Sequence, residues 1–257
     1  MSKLRIGTEI TRPPWAEDCR HAGRSGLAGP SCSTVGGMRE FLEPTSILDS
    51  DHPEVLAFAE AQGGPGGDPR ETAIRLYYAV RDGIRYDPYN ASTAEEALRA
   101  SSVLRAGRGW CVSKAVLLSA ACRALGIPAR LGFADVRNHL STERLRERMK
   151  TDVFYYHGYS SIHLDDRWLK ATPAFNIELC EKFRLLPLEF DGREDSIYHA
   201  FDADGHQHME YVRDRGEYAD VPLEALQRTL REKYPSIAFE ADGADFEQDV
   251  AKETHAR

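Results

Sequence analysis

Cys111 and His157 are the two side chains whose settings in this sequence could support covalent chemistry. Cys111 stands in RAGRGWCVSKAVLLSAACRALGIPAR, where Gly107 and Gly109 loosen the approach and a helical pattern starts at or just after the cysteine. A helix start presents unpaired N–H groups and about half a positive charge, which favours a thiolate. The expectation is a thiol pKa shifted from its reference of about 8.5 toward neutrality, which makes a ready nucleophile. Cys122, three turns further along the same helix, reads as a small core residue, and Cys180 stands apart.

His157 lies in VFYYHGYSSIHLDDRWLKATPAFN. Period-two alternation puts Val153, Tyr155, His157, Tyr159, Ser161 and His163 on one strand face. A two-residue turn at Asp165-Asp166 sets His157 opposite Ala174, with Thr172 and Asn176 as diagonal neighbours about 7–8 Å away. Either could accept a hydrogen bond from the imidazole and fix its tautomer. His163 is the rival base, but it sits beside the turn, about 20 Å further along the strand. The Cys111 N–H is the first candidate donor to an oxyanion; Trp110, Tyr86 and Tyr89 are candidates for the second. Trp110 is also the candidate substrate-binding wall, whereas Trp168 and the run Phe154, Tyr155 and Tyr156 read as core.

These residues need elements to hold them. Residues 1–37 are rich in Gly, Ser, Pro and charge without period, and read as a disordered tail, with Met38 opening the folded part. Residues 38–48 look extended or irregular. Helices are expected over 51–62, with Pro53 near its first position, and over 71–82. Thr93 and Glu96 make a capping box for a short helix to about Ala100. The cysteine helix spans 112–125, ended by Gly126 and Pro128. Strands follow at 129–136, 153–164 and 167–174, with a charged, solvated helix over 141–150 between the first two. Weaker strands are expected near 185–190 and 209–213, and a last helix over 223–233. Helices first and an antiparallel sheet after them define an α+β class. The expected organisation is a single domain over 38–257, with its core at about 70–176 and a C-terminal extension from 177.

Composition narrows the function classes. With 42% hydrophobic and 9% aromatic residues, wholesale disorder is excluded. Lys plus Arg total 33 against 41 acidic residues, a net charge of -8, which argues against a nucleic-acid partner. No apolar run approaches a membrane span, and MSKLRIGTEITRPPWAEDC lacks the apolar stretch of a secretory leader. Five cysteines without a C-x-x-C pair fit neither a disulfide framework nor a zinc ribbon, so a reducing cytoplasm is expected. His199, His206 and His208 with Asp202 and Asp204 imitate a metal site, but the Asp-Gly within them reads as a solvated turn. No metal or cofactor is expected.

The cysteine helix ending in A-C-R-A-L-G-I-P-A-R, followed by H-G-Y-x-x-I-x-L-D-D-R-W-x-x-x-T-P, resembles the transglutaminase-like superfamily over about residues 70–176. The resemblance implies a papain-like fold with the nucleophile's helix packed on an antiparallel sheet. It also implies Cys111 as nucleophile and His157 as base. Thr172 stands where the family usually has its third catalytic residue, an aspartate, and Arg105 where papain-type enzymes often have a glutamine. The implied reaction is acyl transfer through a thioester on a peptide, protein or amide. A relict binding domain is the alternative that the change at Thr172 leaves open.

Overall fold

The structure, a computed structural model of the 257-residue chain, describes residues 38–65, 67–138, 141–197, 209–234 and 244–255. The expected tail over 1–37 and the cluster from His199 to His208 lie outside those residues.

A short 3-10 turn, Arg39–Phe41, stands where irregular chain is expected. The helices are α1 (Pro53–Gly63), α2 (Pro69–Gly83), α3 (Glu95–Leu98), α4 (Ala100–Ala106), α5 (Cys111–Ala124), α6 (Glu143–Met149), α7 (Ile177–Phe183), α8 (Leu223–Lys233) and α9 (Phe246–His255). Strands β3 (Ala129–Asn138), β4 (Val153–Leu164), β5 (Arg167–Ala171) and β6 (Met209–Tyr218) form an antiparallel sheet in the order β5-β4-β3-β6. Two-residue strands β1 (Arg85–Tyr86) and β2 (Arg108–Gly109) pair in parallel just before α5. The α+β class is confirmed.

Helix α5 is the axis of the core, with every residue from Cys111 to Arg123 buried. A helix enclosed on all sides carries no amphipathic stripe, so its small residues decide how closely its neighbours approach. Ser160 of β4 donates to the Ala115 carbonyl at 2.9 Å and accepts from Ser119 at 3.0 Å. Lys114 is fully buried and donates to the Arg81 and Ile84 carbonyls at 2.9 and 2.5 Å, tying the end of α2 to the first turn of α5. Burial brings this ammonium down to about 7.

Several expectations need correction. Thr93 caps nothing: α3 starts after Ala94 without a side-chain cap, and the chain breaks at Arg99 before α4, a helix that the sequence pattern did not show. No strand forms near 185–190, where Leu185 alone makes an isolated bridge; further along, Ser196 bridges to Ala171 at the end of β5. Helix α6 is not merely a solvated face, because Leu145 and Met149 are buried. Strand β6 runs five residues beyond its expected end, and α9 was unforeseen. Among the described residues no helix is long and apolar enough to cross a membrane.

Candidate active site

Strand β4 shows how His157 is placed. Its pairing with β5 runs from Leu164↔Arg167 to Ser160↔Ala171, the register that a two-residue turn at Asp165-Asp166 dictates. On the other side, β3 pairs Ala134 with His157 but Val136 with Phe154, so β4 carries one extra residue. Tyr156 absorbs it at φ 57°, the left-handed backbone of a bulge. The simple alternation therefore fails before His157. Phe154, not Val153 or Tyr155, shares its phase.

Two groups from outside the strand fix this bulge. Asp135 accepts the Tyr156 N–H at 3.1 Å. The Asp135 carboxylate is itself gripped by Arg215, whose Nη2 lies 2.8 Å away, and Arg215 lies over the Tyr156 ring at 4.7 Å. Tyr234, following α8, accepts the Tyr155 N–H at 2.8 Å and donates to the Val153 carbonyl at 3.0 Å. Neither residue was singled out from the sequence. Both act on the backbone of a bulge that alternation alone does not reveal.

Cys111 is the first residue of α5, and Ser113 caps the turn by accepting the Trp110 N–H at 3.0 Å. That bond removes the Trp110 main-chain N–H from the candidate oxyanion donors. Gly158 lets β4 come against this turn: a Cβ there would stand 2.9 Å from Val112 Cα. The structure brings Cys111, His157, Trp110 and Tyr86 into the wall of one cavity, which has an empty volume of about 580 Å³, part of it open to solvent.

The expected lowering of the thiol pKa is overturned. Burial of Cys111 at 4% exposure pushes its thiol up to about 11. The backbone N–H groups of Gly158, Val112 and Cys111 itself pull the other way without prevailing. A thiolate away from water loses more than the helix start returns. Cys122 and Cys180 are pushed higher still, to about 12. Site-resolved alkylation with iodoacetamide should therefore show the Cys111 rate rising about tenfold per pH unit between about pH 6 and pH 9, as the thiolate fraction does. A plateau across that range would mean a thiolate already formed at rest.

Tyr86 is buried, and its phenol is raised well above the ordinary value, chiefly by burial and then by the charge that Cys111 would carry. Its hydroxyl thus stays protonated. Tyr89 is committed elsewhere, to Thr142 at 2.7 Å and Asp249 at 3.1 Å. His163 stacks edge-on against Trp168 at 5.1 Å and does not line the cavity.

The two candidate orienters fare differently from His157. Thr172 falls just beyond the β4–β5 ladder, its N–H bonded to the Ser196 carbonyl at 2.8 Å and its carbonyl to the Tyr77 hydroxyl at 3.2 Å. Asn176 accepts the Tyr86 N–H at 3.1 Å and donates to Glu178 at 2.8 Å, so its amide steadies β1. Neither lines the cavity. Among the described residues there is no group of three or more acidic, His or Cys side chains placed to hold a metal ion.

An α+β core with a buried helix-start cysteine against a strand histidine has a family counterpart. Residues 57–173 match the model of the transglutaminase-like superfamily, and this stretch, which holds Cys111, His157 and Thr172, belongs to it. Among solved structures the chain is similar to a candidate cysteine protease from Cytophaga hutchinsonii, at 18% identity and a TM-score of 0.41, covering 71% of this chain and 54% of that one. It is also similar to a candidate protease from Parabacteroides distasonis, at 15% identity and a TM-score of 0.32, covering 52% of this chain and 24% of that one. A third is the arylamine N-acetyltransferase from Mycobacterium abscessus, at 17% identity and a TM-score of 0.36, covering 52% and 46%. The chain thus spans about half or less of the length of these proteins. No curated protein matches it.

Proposed function

We propose that this protein is a cysteine-dependent acyl-transfer enzyme, with Cys111 as nucleophile and His157 as general base. The observation that carries the reading is that both side chains line one cavity at the start of a buried helix. Because the thiol is protonated at rest, His157 takes its proton as sulfur attacks the acyl carbon. The tetrahedral oxyanion is met by the Cys111 N–H and by the protonated Tyr86 hydroxyl. His157 then gives the proton to the leaving amine, alcohol or thiol, and a thioester remains. Water or an amine, deprotonated by His157, attacks the thioester and frees Cys111. Trp110 forms part of the substrate wall.

The described cysteines are free thiols, in keeping with a reducing, cytoplasmic setting. One folded domain from Met38 onward is part of the same reading. A p-nitrophenyl ester tests the reaction: a burst of one p-nitrophenol per protein, followed by slower turnover, is expected, and the absence of any burst or turnover would favour a relict binding domain.

Thr172 is the proposed orienter of His157, at the family's aspartate position. Thr172→Val, which keeps the shape and removes the hydroxyl, should lower turnover by about ten- to a hundredfold, below the roughly 10⁴-fold loss on disabling a triad aspartate. Thr172→Asp should preserve or raise it. If Thr172→Val turns over like wild type while Asn176→Ala is dead, the orienter is Asn176.

A further inference from the structure

We propose that helix α9 is a clasp on the oxyanion side of the site, and that Phe246 is a positioning residue that holds the Tyr86 hydroxyl beside Cys111. The proposal rests on the acyl-transfer reading and adds to it what keeps the second oxyanion donor in place.

The backbone of Tyr86 is fixed independently of α9. The Arg85 and Asp87 N–H groups donate to the Gly107 and Gly109 carbonyls, each at 3.0 Å, and Asn176 accepts the Tyr86 N–H. A fixed backbone still lets a ring turn about its side-chain bonds, and the hydroxyl at its far end then moves most. Two aromatic rings oppose that turn. Phe175 meets the Tyr86 ring at 4.8 Å and 77°, and Phe246 meets it at 5.8 Å and 71°. Phe246 is buried and also meets Tyr89 edge-on at 5.2 Å. It therefore packs behind two residues of the cavity wall without lining the cavity itself.

The rest of α9, with Asp245 just before it, is tied down around that ring. Arg85, next to Tyr86, pairs with Asp245 at 2.7 Å and with Glu247 at 3.1 Å. Glu247 also pairs with Lys182 of α7 at 2.7 Å. Asp249 accepts from Tyr89 at 3.1 Å and from Arg144 at 2.9 Å. Glu253 accepts the Glu143 N–H, at the start of α6, at 2.9 Å. Each of these partly exposed pairs contributes little alone. Together they join one helix to α6, α7 and β1. All of α9 lies beyond the 57–173 stretch that matches the family.

Ester burst kinetics on the full chain test this, because the burst amplitude counts competent chains and its rate reads acylation. Phe246→Ala is expected to keep the amplitude and slow the burst about tenfold, with half-saturation within about threefold of wild type. Tyr86→Phe should slow it about a hundredfold, as loss of an oxyanion donor does. Adding Phe246→Ala to Tyr86→Phe should then cost less than about twofold more, because the hydroxyl that it positions is gone. Should the alanine variant not fold, Phe246→Val is read the same way, with a loss of about threefold expected. An unchanged burst rate in Phe246→Ala, or an equal loss with and without the Tyr86 hydroxyl, overturns the proposal. So does a Tyr86→Phe variant that reacts like wild type, which leaves Cys111 and His157 their roles. A readout that needs no reaction is the NMR signal of the Tyr86 ring in protein labelled at the tyrosine ε carbons. Two separate ε signals, the mark of a held ring, are expected in wild type, and one averaged signal in Phe246→Ala. The same pattern in both overturns the proposal. If wild type shows no burst, the acyl-transfer reading fails, while the ring signals still decide whether Phe246 holds Tyr86.

Discussion

Gly158→Ala is expected to lose about a hundredfold in turnover together with about 1–3 kcal/mol of stability. The new Cβ would stand 2.9 Å from Val112 Cα and 3.3 Å from its nitrogen, and neither backbone atom can swing aside as a side-chain tip could. Either β4 or the first turn of α5 must move. The overpacking accounts for the stability cost. The kinetic cost is separate: Cys111 begins that turn and His157 immediately precedes Gly158, so a displacement of about 1 Å spoils their alignment by about a hundredfold. Thermal melts and ester turnover measured on the same preparation check both numbers. An alanine variant with wild-type turnover would show that the close approach does not matter to the chemistry.

Asp135→Ala should have the second large effect, because it strikes the bulge that aims His157. The carboxylate is 3% exposed and the Arg215 side chain 15%, so the variant leaves a guanidinium without its partner in a half-dry setting. Breaking a buried pair from one side costs about 3–5 kcal/mol, and the low end applies because Arg215 keeps some water. The Tyr156 N–H also loses its acceptor. We expect kcat to fall with little change in KM, since Asp135 does not line the cavity. Asp135→Asn separates positioning from mere stability: its amide oxygen can still accept the Tyr156 N–H, although the ion pair is gone. It should be destabilised nearly as much as the alanine variant yet retain most of the turnover. Equal losses of kcat in the two variants would reduce Asp135 to a structural role.

Much of this site was legible before its structure. The cysteine helix announces itself through Gly109, the small residues of its inner face and the Gly126–Pro128 stop. The β4–β5 register followed from two consecutive aspartates, which the structure places at positive φ in the turn. What escaped was non-local or cumulative. The bulge at Tyr156 has no signature of its own, because Asp135 and Arg215, brought together from other strands, stabilise it. Arg99 closes the short helix expected to about Ala100, and no local residue type announces that a second one, α4, starts directly after it. The thiol departs from the sequence expectation because the helix start is visible in the sequence while the burial that outweighs it is set by β4 and by Trp110, Tyr86 and Tyr234 around it. In helix α6 the run of charges masks the buried Leu145 and Met149, which line the cavity.

The most direct test of Cys111 as nucleophile and His157 as its base is mass spectrometry of the acyl-enzyme, trapped by rapid acid quench after mixing with an activated aryl ester. One acyl adduct per chain is expected, mapped to Cys111, absent in Cys111→Ala and formed at least about a hundredfold more slowly in His157→Ala. An adduct on Cys122 or Cys180, or one at Cys111 that forms as fast without His157, would contradict it.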